Sequence, residues 1–178
     1  MLLTLAGLPG SGTSTVAQLL AAELDLDHLD GGTAFRAMAA ELGLSLPEFA
    51  ARAEADDQID RALDERLVAR AREGGVVLES RLSGWLATRA ELPALRVWIA
   101  CDDAERARRV GGRDGHADQD ALAHNRAREA SERQRYLDYY GIDLLDLTIY
   151  DLVLDSEHRS PEDLVAEIVA AARSEHGS

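Results

Sequence analysis

The chain has 178 residues, 46% of them hydrophobic, and a formal net charge of −14 at pH 7, which fits one domain with a core of its own and argues against disorder. All 19 basic residues are arginine, and the acidic balance speaks against nucleic acid and anionic membranes as partners, since binding either depends on a basic face. With one cysteine, Cys101, no basic leader at the N-terminus and no run near ~20 apolar residues, the expectation is a soluble, cytoplasmic monomer without an intrachain disulfide. Such an acidic surface suits a salty interior, where screening removes self-repulsion; a lineage-wide codon bias accounts for it equally well.

Leu2 to Ala6 predicts a buried strand, Gly7 to Gly12 a glycine-rich turn, and Val16, Leu19, Leu20 and Leu24 the apolar stripe of a helix. The glycines admit positive φ and let successive N–H groups turn inward, while the helix start adds unpaired donors. Gly7, Leu8, Pro9, Gly10, Ser11, Gly12, Thr13, Ser14 and Thr15 are therefore read as the cradle of a polyphosphate, as in ATP. The spacing G-x-x-x-x-G-K-[ST] is met except at its lysine, where Thr13 stands; Ser14 holds the position whose hydroxyl ligates Mg²⁺. A ligand-free turn between strand and helix is the plainer alternative.

His28 to Asp30 reads as a short extended piece, broken by Gly31-Gly32 before a helix from Thr33 to Leu42. A helix follows Ser45, with Pro47 early in it, to about Ala55; another runs from Asp57 to Glu73 with Ile59, Leu63, Leu67 and Ala71 at four-residue intervals. Val76 to Glu79 and Leu95 to Ala100 predict buried strands. Asp102 or Asp103 caps a helix carrying Arg106, Arg108 and Arg109, each read evenly as a surface or a site arginine, and Gly111 to Gly115 is expected to interrupt it as a mobile loop. A charged helix over about Asp118 to Tyr140, a strand over Asp151 to Asp155 and a helix opened by Ser160-Pro161 complete the chain. Alternating strands and helices imply a parallel sheet covered on both faces, a three-layer α/β/α fold in one domain, 1–178. Ligands of such sheets bind at the carboxyl ends of the strands, where this chain places the phosphate loop, Asp30 with Arg36, Glu79 with Arg81, and the arginines beyond Cys101.

Several segments resemble the cytidylate kinases, most closely the archaeal type. Leu29-Asp30-Gly31-Gly32-Thr33-Ala34-Phe35-Arg36 is similar to that family's L-D-[ST]-G-x-x-[YF]-R segment, and Leu78-Glu79-Ser80-Arg81 to its acidic-x-arginine segment, with Ser80 in place of the usual glycine. Arg128-x-x-x-Glu132-x-x-Arg135 resembles the helix beyond the lid, and Tyr136 to Asp143 a stretch of the archaeal members.

The resemblance implies a P-loop kinase with helices for the nucleoside monophosphate inserted at about 30–73 and a short lid at about 110–118. It implies transfer of the γ-phosphoryl of ATP to CMP or dCMP with Mg²⁺. By the same resemblance Arg36 and Arg81 would hold the acceptor's phosphate, to which planar guanidinium groups are suited. Arg128 and Arg135, with Glu132 orienting them, would contact the acceptor or the transferring phosphoryl. Arg109 and Arg113 would belong to the lid over ATP, and Asp30 would face the acceptor's nucleoside side. Without the resemblance, Arg128, Glu132 and Arg135 read as a solvated ion-pair ladder, and Arg126, Glu129 and Arg133 offer a rival set on the same helix. Since the chain has no lysine, an arginine must stand in for the one missing at Thr13, and the lid or long-helix arginines are the expected substitutes. A kinase for another acceptor and a catalytically silent nucleotide binder are the alternatives. No histidine is read as catalytic or metal-binding; the tyrosines Tyr136, Tyr139 and Tyr140 are read as helix-end packing.

Overall fold

A computed structural model describes residues 1–114 and 118–176, with the side chains of 112–114, 118–122, 124, 125, 128, 175 and 176 outside the description. In chain order the elements are β1 (Leu2–Gly7), α1 (Thr13–Leu24), β2 (Asp27–Asp30), α2 (Gly31–Glu41), α3 (Leu46–Ala55), α4 (Asp57–Arg72), β3 (Val76–Glu79), α5 (Ser83–Arg89), β4 (Leu95–Ala100), α6 (Asp103–Asp114), α7 (Asp118–Tyr140), β5 (Leu152–Asp155) and α8 (Pro161–His176). The strands form one sheet in the order β2-β3-β1-β4-β5, and every pairing is parallel.

All of β1 is buried, as a central parallel strand covered on both faces must be. Leu3 and Leu5 join Val77, Val97 and Ile99 under α1 and α8, in a core with Val16, Leu20, Leu164 and Ile168. Leu2 points the other way, with Val76 and Leu78, into a core with Leu67, Leu86, Tyr136, Ile142 and Leu144. A smaller cluster, Met38, Ala39 and Phe49, ties α2 and α3 to α4. Among the described residues no helix is long and apolar enough to cross a membrane.

The register decides where the site falls. Leu5 pairs with Glu79, Asp30 with Glu79, Gly7 with Ile99 and Ala100 with Asp155, so the strands end together along one edge. The chain leaves β1 toward β3 and β2 on one side and later crosses to β4 and β5 on the other. The phosphate loop therefore leaves the sheet at its topological switch point.

Two local expectations are corrected. Gly31 and Gly32 open α2 rather than breaking the chain before it, because Asp30 accepts from Gly32 N and Thr33 N and so caps the helix two residues early. The glycine at 31 answers to close packing, since a Cβ there would lie 2.8 Å from Ser80 Cβ. Gly111 and Gly112 lie inside α6, which runs to Asp114; a helical glycine costs about 1 kcal/mol, and Gly111 is buried there. Residues 115–117 of the expected lid lie outside the described residues. The short helix α5 was not anticipated; Ser83, at its start, donates to Leu5 O at 2.8 Å and fastens it over β1.

Candidate functional site

The phosphate loop is shaped by what ties back its carbonyls. Gly10 and Gly12 have φ of 85° and 93°, a left-handed conformation that side-chain-bearing residues rarely adopt. A Cβ on Gly10 would also meet Arg106 O at 2.5 Å. Pro9 O accepts from Arg106 Nη1 at 3.1 Å, and Ser11 O from Ser156 Oγ at 2.7 Å and Arg109 Nη1 at 3.4 Å. With these carbonyls engaged on α6 and the end of β5, the N–H groups at the start of α1 are left for an anion. Ser11 Oγ is buried with no hydrogen-bond partner among the described residues, an orphaned group that a bound phosphate would satisfy.

Thr13 turns away from this cradle. Its buried hydroxyl donates to Glu79 Oε1 at 3.0 Å, and Ser14 Oγ donates to the same oxygen at 2.6 Å. His28 Nε2 lies 2.9 Å from the other carboxylate oxygen, Glu79 Oε2. Glu79 is buried, so these contacts are what make its carboxylate tolerable there. Among the described residues no three His, Cys, Asp or Glu side chains group to hold a metal. An all-oxygen pair, the Ser14 hydroxyl beside Glu79, nevertheless fits Mg²⁺, which keeps most of its waters and takes few protein ligands beside substrate phosphates.

Just past the end of β3, Arg81 joins two elements. Its Nη1 donates to Gly7 O at 2.9 Å and its Nε to Glu132 Oε2 of α7 at 3.1 Å. Glu132, expected to orient the arginines of its own helix, thus holds Arg81. Arg135 Nε lies 2.8 Å from Asp60 Oδ2 on α4. Burial raises the Asp60 pKa, with Arg135 opposing. One turn on, Asp64 accepts from Tyr140 OH at 2.6 Å, and burial pushes its carboxyl up to about 6, with the tyrosine bond opposing. Asp30, besides capping α2, accepts from Thr33 Oγ1 and, at 3.4 Å, from exposed Arg36. Arg109 is not a surface arginine: it also bonds Glu105 at 2.8 Å and Ser156 O at 2.8 Å. Bonds from Arg108 and Arg109 hold Glu105 down at about 2.

The sheet edge thus gathers the loop, Thr13, Ser14, Arg81, Glu132 and Arg109, with Asp30 and Arg36 one strand over and Arg135 of α7 set against Asp60 of α4. The side chains of Arg113 and Arg128 lie outside those described. Of four further participants, Arg106 was read evenly as a surface or a site arginine and Glu129 only as part of the rival set, while Asp60 and Ser156 were not named from sequence. Arg106 is buried rather than at the surface, bonded to Cys101 O, Pro9 O, Asp103 and Glu129. Glu129 was visible as a member of the rival set, and Asp60 as a carboxylate one residue from the apolar stripe of α4. Ser156 had only its place after the last strand to mark it.

The cytidylate kinase-like family matches residues 2–158 of the chain. A cytidylate kinase of Pyrococcus horikoshii is 42% identical over 171 residues, covering 96% of this chain and 88% of its own. One of Halobacterium salinarum is 44% identical over 180 residues, covering 98% and 92%. In fold the chain is similar to the shikimate kinase of Bacteroides thetaiotaomicron, with a TM-score of 0.65 at 13% identity, over 97% of this chain and 98% of that one.

Proposed function

Because the chain belongs to the cytidylate kinase-like family, from its first strand through its last, we infer that it transfers the γ-phosphoryl group of ATP to CMP or dCMP, giving ADP and CDP or dCDP. The observation that carries the reading is the tied-back phosphate loop joined through Arg81 and Glu132 to α7. Donor and acceptor ends of an in-line transfer need to be held in one fixed frame.

In this reading the loop, residues 7–15, cradles the ATP phosphates with backbone N–H groups, Pro9 having none to give. The Ser14 hydroxyl, oriented by Glu79, would hold Mg²⁺, which when bound neutralises charge on the β- and γ-phosphates. Arg36, fixed by Asp30 and Thr33, and Arg81, fixed by Glu132, receive the acceptor's phosphate, with Asp30 on the nucleoside side. Arg128 and Arg135 contact the acceptor or the moving phosphoryl group. Arg109 and Arg113, on α6, border ATP as residues 110–118 close over it and exclude water. The insertion at 30–73 carries the acceptor pocket, and the protein acts as a monomer in the cytoplasm.

ADP production from ATP and Mg²⁺, measured by a coupled assay against CMP, dCMP, UMP, AMP and no acceptor at low and molar KCl, tests this. Turnover with CMP and dCMP above the others is expected. Turnover confined to a different acceptor would replace the substrate assignment. Binding of ATP and CMP without transfer in either salt would favour a silent nucleotide-binding protein, for which Thr13 is the supporting feature.

A further inference from the structure

We propose that Arg81, reaching across from the end of β3, brings to the transferring phosphoryl group the positive charge that a lysine at position 13 would bring. This deepens the kinase reading above and rests on it. The chain contains no lysine. Thr13 does not compensate, because its buried hydroxyl is committed to Glu79 at 3.0 Å.

Arg81 has the right anchors. Gly7 is both the last residue of β1 and the first of the loop, so its carbonyl lies at the base of the cradle. Arg81 Nη1 donates to that carbonyl at 2.9 Å, while Nε donates to Glu132 at 3.1 Å. Two bonds to two different elements fix a planar guanidinium completely, and Nη2 donates to no described residue. The remaining edge of the fork is therefore held in place beside the loop with free donors. At 22% exposure, its field is little weakened by water.

The other described arginines of this edge are committed differently. Arg106 is enclosed by Cys101 O, Pro9 O, Asp103 and Glu129. All three guanidinium nitrogens of Arg109 have acceptors, in Glu105, Ser11 O and Ser156. Arg135 is on Asp60 at 2.8 Å, and Arg36 is 58% exposed on the outer side of Asp30.

In the transfer, an oxygen of the acceptor's phosphate forms the new bond to the γ-phosphorus. The bond to the β–γ bridging oxygen breaks, and its electron pair leaves with ADP. Arg81 keeps its protons throughout and donates hydrogen bonds to the phosphoryl oxygens. Glu132 offsets part of the charge but fixes the donors in advance, and preorganised donors are what such a transition state rewards.

The test is calorimetric binding of ADP and of the β,γ-imido analogue of ATP, without acceptor, to the wild type and to Arg81→Gln, together with kcat and KM for CMP in both and in Thr13→Lys/Arg81→Gln. The wild type is expected to prefer the triphosphate, and Arg81→Gln to reduce that preference about tenfold or more. Its kcat should fall on the order of 10²-fold, and the double variant should recover at least about tenfold of that loss while KM for CMP stays raised. Two results overturn the proposal: an unchanged triphosphate preference in Arg81→Gln, or a folded double variant whose kcat stays at the level of Arg81→Gln. Should the double variant not fold, the binding preference decides alone. It also decides if the wild type phosphorylates no CMP, in which case the assigned reaction fails while the role of Arg81 is judged separately.

Discussion

Arg106 and Glu129 give the sharpest prediction about what holds the phosphate loop in shape. Arg106 is 2% exposed, and Glu129 comes to it from α7 through both terminal nitrogens. In Glu129→Ala the guanidinium stays buried but loses its enclosed partner. Breaking a buried pair in this way costs about 3–5 kcal/mol. Asp103 remains bonded at 2.6 Å but is 54% exposed, so water screens what it offers; the lower end, about 3 kcal/mol, is the reasonable figure. For a domain of this size 1 kcal/mol shifts Tm by about 2–4 °C, so a fall of roughly 6–12 °C is expected in thermal unfolding followed by circular dichroism. The control is Glu167→Ala, which removes the exposed pair with Arg159 and should cost no more than about 1 kcal/mol. If the two variants melt within a degree or two of each other, the buried pair is not what secures Arg106 under Pro9.

Three further outcomes follow from individual contacts. Asp64 binds its proton more tightly folded than unfolded, its pKa standing at about 6 against an ordinary 3.8. Its stabilising contribution is full below about pH 4 and lost as pH rises through 6. Asp64→Asn, which keeps an acceptor for Tyr140, should therefore gain up to about 3 kcal/mol on the wild type between pH 4 and 7 in denaturant titrations; parallel profiles would refute the shift. Gly84→Ala should destabilise by about 1–3 kcal/mol, because its Cβ would lie 2.5 Å from Cε1 of buried Tyr150; an unchanged Tm would show that the ring yields freely. Glu132→Gln keeps a hydrogen-bond acceptor for Arg81 without the charge, so its kcat should lie between those of the wild type and Arg81→Gln; a loss larger than that of Arg81→Gln would give Glu132 a role beyond positioning it.

The strands and most helices were legible because their signals are local. Val76–Glu79 and Leu95–Ala100 are apolar runs bounded by turns, and α3 follows a serine with proline at its second position. Gly31 and Gly111 misled because a glycine is read as a break, whereas Gly31 packs against Ser80, 49 residues away, and Gly111 is buried within α6. The same distinction separates the parts of the site. The loop is one contiguous segment and announces itself. The partners of its carbonyls, Arg106 and Ser156, lie 97 and 145 residues from the atoms they hold. Glu132 could be located on its helix face from periodicity, but that Arg81 would be its partner depends on how α7 meets the end of β3, which no spacing encodes.

The acidic composition also takes on a different meaning once the pairs are visible. Arg36, Arg81, Arg106, Arg109 and Arg135 all lie at or near one edge of the sheet, and each has a carboxylate partner: Asp30, Glu132, Glu129, Glu105 and Asp60. Five guanidinium groups drawn together without anions would repel one another and favour an open arrangement. Paired, they hold their geometry before any phosphate arrives, which is the condition under which electrostatic stabilisation costs no reorganisation during transfer. The partners divide the labour. Arg106 and Arg109 are bound to loop carbonyls and keep the cradle in shape, whereas Arg81 is anchored to Gly7 O and Glu132 with an Nη2 that donates to no described residue. On the proposal above, this chain, which contains no lysine, brings a charge to the phosphoryl group on an arginine just beyond a neighbouring strand, with a carboxylate from a third element to aim it.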